Sequence, residues 1–150
     1  KHENLSILAG VPDGLPPLLK ADRIQAKAAH VGFDWPAGSP EPLFAKLDEE
    51  INELKEAASE NNPEHIAEAL GDVLFMTVNL ARRLGTDPDA ALNTVCEKFK
   101  KRFEFMENKA HEDNKNLSDY TLEQLDGFWN EAKTVLLSRQ HDSCNFKKMP

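Results

Sequence analysis

The stretch KLDEEINELKEAASENNPEHIAEALGD, residues 46–72, carries two acidic groups separated by a polar break. The first group, Glu49, Glu50 and Glu53, lies inside an apolar pattern of Phe44, Leu47, Ile51, Leu54 and Ala58. That spacing by threes and fours predicts a helix. At about 100° per residue, Glu50 and Glu53 stand about 60° apart on one flank of the stripe, and Glu49 and Glu53 about 40° apart. The second group is Glu68 and Asp72. Asp72 stands within Leu70-Gly71-Asp72-Val73-Leu74-Phe75-Met76, a setting in which a carboxylate is costly. Two antiparallel helices that face each other with these clusters concentrate negative charge in a partly buried place. A divalent cation relieves that repulsion, and hard oxygen donors on a helical frame suit Mg²⁺ or Mn²⁺. Plainer readings stand beside this one. Glu49, Glu50 and Glu53 also read as a solvated acidic face, and Asp72 as the ion-pair partner of Lys46 or Arg82.

At 150 residues the chain predicts one domain over 1–150 with a sizeable core. A net charge of −8 argues against binding a nucleic acid polymer through its phosphates, which needs a basic face. It leaves room for a small phosphorylated ligand carried by a metal. Cys96 and Cys144 have no metal-ligand spacing, and a reduced, cytoplasmic compartment is the simpler expectation. No apolar run approaches about 18 residues, so no membrane span is expected. The first residues show no signal-peptide design. They also lack an initiator Met, which suggests a fragment or a processed chain.

Residues 1–17 read as an irregular arm, because Gly10, Pro12, Gly14, Pro16 and Pro17 oppose regular structure. A helix from Leu18 to about Gly32 follows, then an aromatic loop, Phe33-Asp34-Trp35-Pro36. Trp35 either pins that loop to the core or stacks on a ligand. Helices are predicted over 42–60 and 63–84, joined at Asn62-Pro63, an N-cap followed by a first helical proline. The apolar residues of the second nearly surround it, which suits a central bundle helix or one buried in a dimer. Asp87-Pro88 repeats the cap signature and opens a helix that fades near 111–116. Thr121-Leu122-Glu123-Gln124 is a capping box for a last helix, which carries Trp129. Residues 139–150 read as a flexible tail. Nothing alternates as a strand does. The expected fold is an all-α bundle of about five helices.

Lys98 and Arg102 lie four apart on one helix face, with Lys100 and Lys101 nearby. They form either a solvated basic face paired with Glu97 and Glu104, or a phosphate clamp opposite an acidic metal site.

These residues resemble the MazG family of all-α nucleoside triphosphate pyrophosphohydrolases, in particular the C-terminal catalytic half of MazG, or a stand-alone relative. The resemblance runs from Gly10-Val11-Pro12 through Val31-Gly32-Phe33-Asp34-Trp35-Pro36 to the Trp129 helix. Glu49-Glu50-Ile51-Asn52-Glu53 matches the first half of the family metal motif, and Gly71-Asp72-Val73-Leu74-Phe75 the stretch around the second. Lys46 stands where the family has a lysine before its Glu pair, and Glu97-Lys98-Phe99 with Arg102-Phe103 matches its basic helix.

The resemblance implies a Mg²⁺-dependent conversion of NTP and water to NMP and pyrophosphate by a homodimer. It implies Glu50, Glu53 and Asp72 as metal ligands, and Glu49 or Glu50 orienting or deprotonating the water. Lys98 and Arg102 then neutralise the leaving pyrophosphate, with Trp35 or Trp129 near the base. Two departures matter. The family's second-half glutamate, three before the aspartate, is Ala69 here, and the acid is Glu68 instead, displaced by about 100°. Cys96 stands where relatives often carry Asn. Ala69 leaves one carboxylate missing, so a catalytically impaired nucleotide- or metal-binding module of the same fold is the alternative. A di-iron carboxylate bundle is disfavoured, because no Glu is followed three residues later by His.

Overall fold

The computed structural model describes the backbone of residues 5–146 and the side chains of 5–139. Among the described residues there are five α-helices and no strand: α1 (Pro17–His30), α2 (Glu41–Glu60), α3 (Pro63–Arg83), α4 (Pro88–Glu112) and α5 (Leu122–Phe146). The chain divides into two compact units. One ends at Ala91 and the other begins at Leu92, within α4.

The N-terminal arm is not wholly irregular. Ile7–Gly10 forms a 3-10 turn whose N-cap is Ser6. Pro17 is the first residue of α1, where its fixed φ is already helical and its missing N–H costs nothing. The chain leaves α1 through Gly32 at φ 93°, a conformation that a side chain disfavours.

The α2–α3 hairpin is the centre of the first unit. Asn61 closes α2 in the left-handed region, at φ 53°. Asn62 then caps α3, its Oδ1 accepting from the backbone N–H groups of Glu64 and His65 at 3.1 and 3.3 Å. So tight a turn makes the two helices antiparallel. Leu43, Met76 and Leu80 form their buried core, with Trp35 and Leu47 packed against it. Ala57 and Ala69 are also buried. α1 packs on α3, tied by Gln25 Nε2 donating to the Phe75 carbonyl at 2.9 Å.

At the hairpin end His65 Nδ1 lies 2.9 Å from Glu60 Oε2. That hydrogen bond, aided by the charges of Glu60, Glu68 and Glu53, raises the imidazole above its ordinary value of 6.5. A raised histidine stabilises the fold fully below its unfolded value and loses that contribution as pH climbs through the folded one. Proton NMR of His65 should therefore give a midpoint above 6.5, and Glu60→Gln should lower it. A midpoint indifferent to Glu60→Gln would show that the pair does not form.

In the second unit Met106, Ala110 and Ala132 are buried, and Lys109 Nζ pairs with Glu131 Oε1 at 3.0 Å. The expected capping box is present. Thr121 N donates to Gln124 Oε1 at 2.9 Å, and Gln124 N to Thr121 Oγ1 at 3.2 Å. α5 runs on to Phe146, past Arg139, where the sequence predicts the tail to begin; residues 147–150 lie outside the described ones.

Candidate functional site

Residues equally far from the Asn61-Asn62 turn stand level along the hairpin. Glu53 is therefore level with Leu70, and Glu50 with Val73, each within one turn of Asp72. The two acidic groups thus occupy the same axial segment of two packed helices. Glu50 is the sheltered member, its side chain 14% exposed against 67% for Glu49. Lys46 Nζ binds both, at 2.9 Å from Glu50 Oε1 and 3.0 Å from Glu49 Oε2. The hydrogen bond that the ammonium donates to Glu50, then the one it donates to Glu49, holds its pKa far above the ordinary range.

α3 presents the second group differently from expectation. Its buried stripe runs through Ala69, Met76 and Leu80, and Asp72, about 40° from Met76, falls on the stripe's edge. Asp72 is therefore exposed, and neither of the partners expected for it takes it up. Lys46 belongs to α2's own glutamates, and Arg82 donates to Asn79 at 3.4 Å and lies 4.0 Å from Asp34. Ala69 points into the interface, only 3% exposed, while Glu68 lies on the exposed side and bears electrostatically on His65. Hard carboxylate oxygens suit Mg²⁺ or Mn²⁺ in kind. Among the described residues, however, no three such side chains are gathered closely enough to hold a metal.

Trp35 is half-buried against the core and also lines a cavity of about 470 Å³ with Ile24, Gln25, Phe33, Phe75 and Asn79. Arg83 holds its loop, donating to the carbonyls of Trp35 at 3.0 Å and Pro36 at 2.9 Å. Sequence reasoning missed Gln25, Arg83 and Asn79. Their spacing from Trp35 and from each other carries no local signal.

In the second unit Lys98 and Arg102 line one groove of about 310 Å³, together with Lys101 and, from α5, Lys133. Lys133 was also missed. The Arg102 guanidinium sits 5.3 Å from the centre of the Trp129 ring, and Phe99 packs on the same ring at 5.1 Å. Glu97 pairs with Lys100 at 3.7 Å rather than with Lys98.

A profile of the MazG nucleotide pyrophosphohydrolase domain matches residues 38–106, which include the hairpin acids, Lys98 and Arg102. The chain is 43% identical over 119 residues to the nucleoside triphosphate pyrophosphohydrolase/pyrophosphatase MazG of Thermotoga maritima, covering 79% of this chain and 45% of that protein. It is 35% identical over 130 residues to the nucleoside triphosphate pyrophosphohydrolase of Escherichia coli, covering 85% and 49%. Protein YabN of Bacillus subtilis, which is uncharacterised, is 43% identical over 129 residues, covering 85% and 26%. The chain thus spans about half the length of the first two relatives, and less of the third.

Proposed function

Because the chain belongs to the MazG nucleotide pyrophosphohydrolase family, we propose that it hydrolyses a nucleoside triphosphate to the monophosphate and pyrophosphate. The observation that carries this reading is the level placement of Glu50, Glu53 and Asp72 on one antiparallel hairpin inside the matched region. Glu50, Glu53 and Asp72 are the carboxylates that would hold Mg²⁺, or Mn²⁺ in its place, once drawn together by the ion, with Glu68 as the remaining acid on that segment. The ion, when bound, supplies a Lewis acid for the phosphate oxygens.

The chain's own groups do the rest. Glu49, the exposed member of the pair, takes a proton from water as its oxygen attacks the α-phosphorus. The bond from that phosphorus to the bridging oxygen breaks, and pyrophosphate leaves with the electron pair. Lys46 holds Glu49 and Glu50 in place. Lys98 and Arg102 neutralise the charge that grows on the pyrophosphate. Either Trp35 or Trp129 is the platform for the base.

Exposed large apolar residues support a homodimer. Leu70 and Leu74 on α3 are 45% and 50% exposed, and Leu92 and Val95 on α4 are both 52% exposed. A second copy covers such surface. Among the described residues no helix is long and apolar enough to cross a membrane.

A panel of NTPs incubated with the chain and Mg²⁺ should yield NMP and pyrophosphate on chromatography. NDP and orthophosphate would sink attack at the α-phosphorus. The alkyl side chain at Ala69 favours a second reading, a nucleotide-binding module that scarcely turns over. Calorimetric binding of NTP without any product would establish it.

A further inference from the structure

The outer face of α1 carries a basic ridge that the proposed reaction does not use. Arg23, Lys27 and His30 are spaced i, i+4 and i+7. Gln25, buried and bonded to the Phe75 carbonyl, marks the face that α1 turns to α3. At about 100° per residue, the three basic residues stand roughly 140–200° round the helix from Gln25. They therefore face away from α3, and all three are exposed. Asp22, the acid next to Arg23 in sequence, lines a different pocket with Asp87 and Asp89. Among the described residues, none of the three basic side chains forms an ion pair. In a chain of net charge −8, an unneutralised basic face is a local reversal of sign and attracts anions.

The ridge borders a groove of about 590 Å³ between α1 and the 3-10 turn. Ile7, Ala26 and Val31 give the groove an apolar lining beside Arg23, Lys27 and His30. Lys27 Nζ donates to the Ile7 carbonyl at 3.3 Å, which ties the ammonium to the turn. Gly10 leaves it room, since a Cβ there would come within 2.7 Å of that nitrogen. One bond to a carbonyl leaves the ammonium two further donors. Seven residues of α1 rise roughly 10.5 Å, so the ridge is long enough to engage more than one phosphoryl group of a single molecule. The volume falls in the range of small-molecule sites, ~300–1,000 Å³.

We infer that this groove is a second anion site, one that takes a small phosphorylated molecule. Its phosphoryl oxygens accept from Arg23, Lys27 and His30, and its apolar body lies against Ile7, Ala26 and Val31. The groove shares no residue with the carboxylates of the hairpin or with the α4–α5 groove, and its occupant is a bound effector, not the substrate. The site stands whether or not the chain turns over NTP.

The test is an amide NMR titration of the full chain without metal, at about 0.15 M salt, where distant surface charges are screened. The probes are inorganic phosphate, pyrophosphate and phenyl phosphate. All three should give saturable shifts at residues 7–10 and 23–31. Pyrophosphate and phenyl phosphate should bind there at least threefold more tightly than phosphate, the first through its second phosphoryl group and the second through its ring. Arg23→Gln combined with Lys27→Gln should weaken pyrophosphate at these residues at least tenfold and leave its effect on the amides of Lys98 and Arg102 unchanged. Both side chains are exposed, so the variant should keep its spectrum elsewhere; if it does not, Arg23→Gln alone, expected to lose at least threefold, decides the point. Shifts that grow without saturating, or that appear only around Lys98 and Arg102, overturn the inference on the unaltered chain. Unchanged affinity in the variants overturns it too, and phenyl phosphate no tighter than phosphate overturns the apolar seat. None of these outcomes touches the hydrolase reading.

Discussion

Ala69→Glu should raise turnover by on the order of 10²-fold at saturating Mg²⁺ and should make the stability of the fold depend on that ion. Residue 69 lies one turn before Asp72, and its methyl is buried between α2 and α3. A carboxylate there joins the axial segment that Glu50 and Glu53 occupy, adding the ligand that the proposed cation site lacks. Without metal, the same carboxylate is a buried, unpaired charge. We expect it to cost about 1–3 kcal/mol in the presence of a chelator, read as a lower Tm. Added Mg²⁺ should restore the Tm, since a ligand that binds only the folded state stabilises it. Ala69→Gln is the control, because it adds the same bulk without the charge and should not recover with Mg²⁺. Turnover of several per second in the unaltered chain, unchanged by Ala69→Glu, would mean that Glu68 already serves. The exposed position of Glu68 argues against that outcome.

The second large effect is expected in the α4–α5 groove. Arg102→Ala and Lys98→Ala should each weaken NTP binding by about 1–3 kcal/mol, measured by calorimetry with Mg²⁺ present. Arg102 should be the costlier loss, because its guanidinium also rests on Trp129, a contact worth about 0.5–2 kcal/mol. Arg102→Lys keeps the charge but loses the planar fork and should recover only part of the affinity. Lys98, Lys101, Arg102 and Lys133 share one groove, so the double variant is expected to depart from additivity. Unchanged affinity in both single variants would return the cluster to a solvated basic face.

The helices were legible from the chain alone because their signals are local. Asn62 before Pro63, Asp87 before Pro88 and the Thr121–Gln124 box each act over three or four residues, and the observed helices begin where these caps put them. The pairing of Lys46 with Glu50 is likewise an i, i+4 contact, within reach of sequence reasoning, although Asp72 was the partner weighed for that lysine. What lay beyond reach was everything that depends on which elements meet. Asp72 looked buried because its neighbours in sequence are apolar, yet α3 turns Ala69 and Met76 inward and leaves Asp72 on the rim. Lys133 joins Lys98 from a helix whose sequence carries no phosphate-binding pattern. Gln25 meets the Phe75 carbonyl across fifty residues of chain, and nothing near Gln25 announces a buried acceptor. Sequence periodicity and capping specify each helix, because backbone hydrogen bonds span only four residues. The faces those helices bury, and the polar atoms they strand, are decided by packing between distant segments.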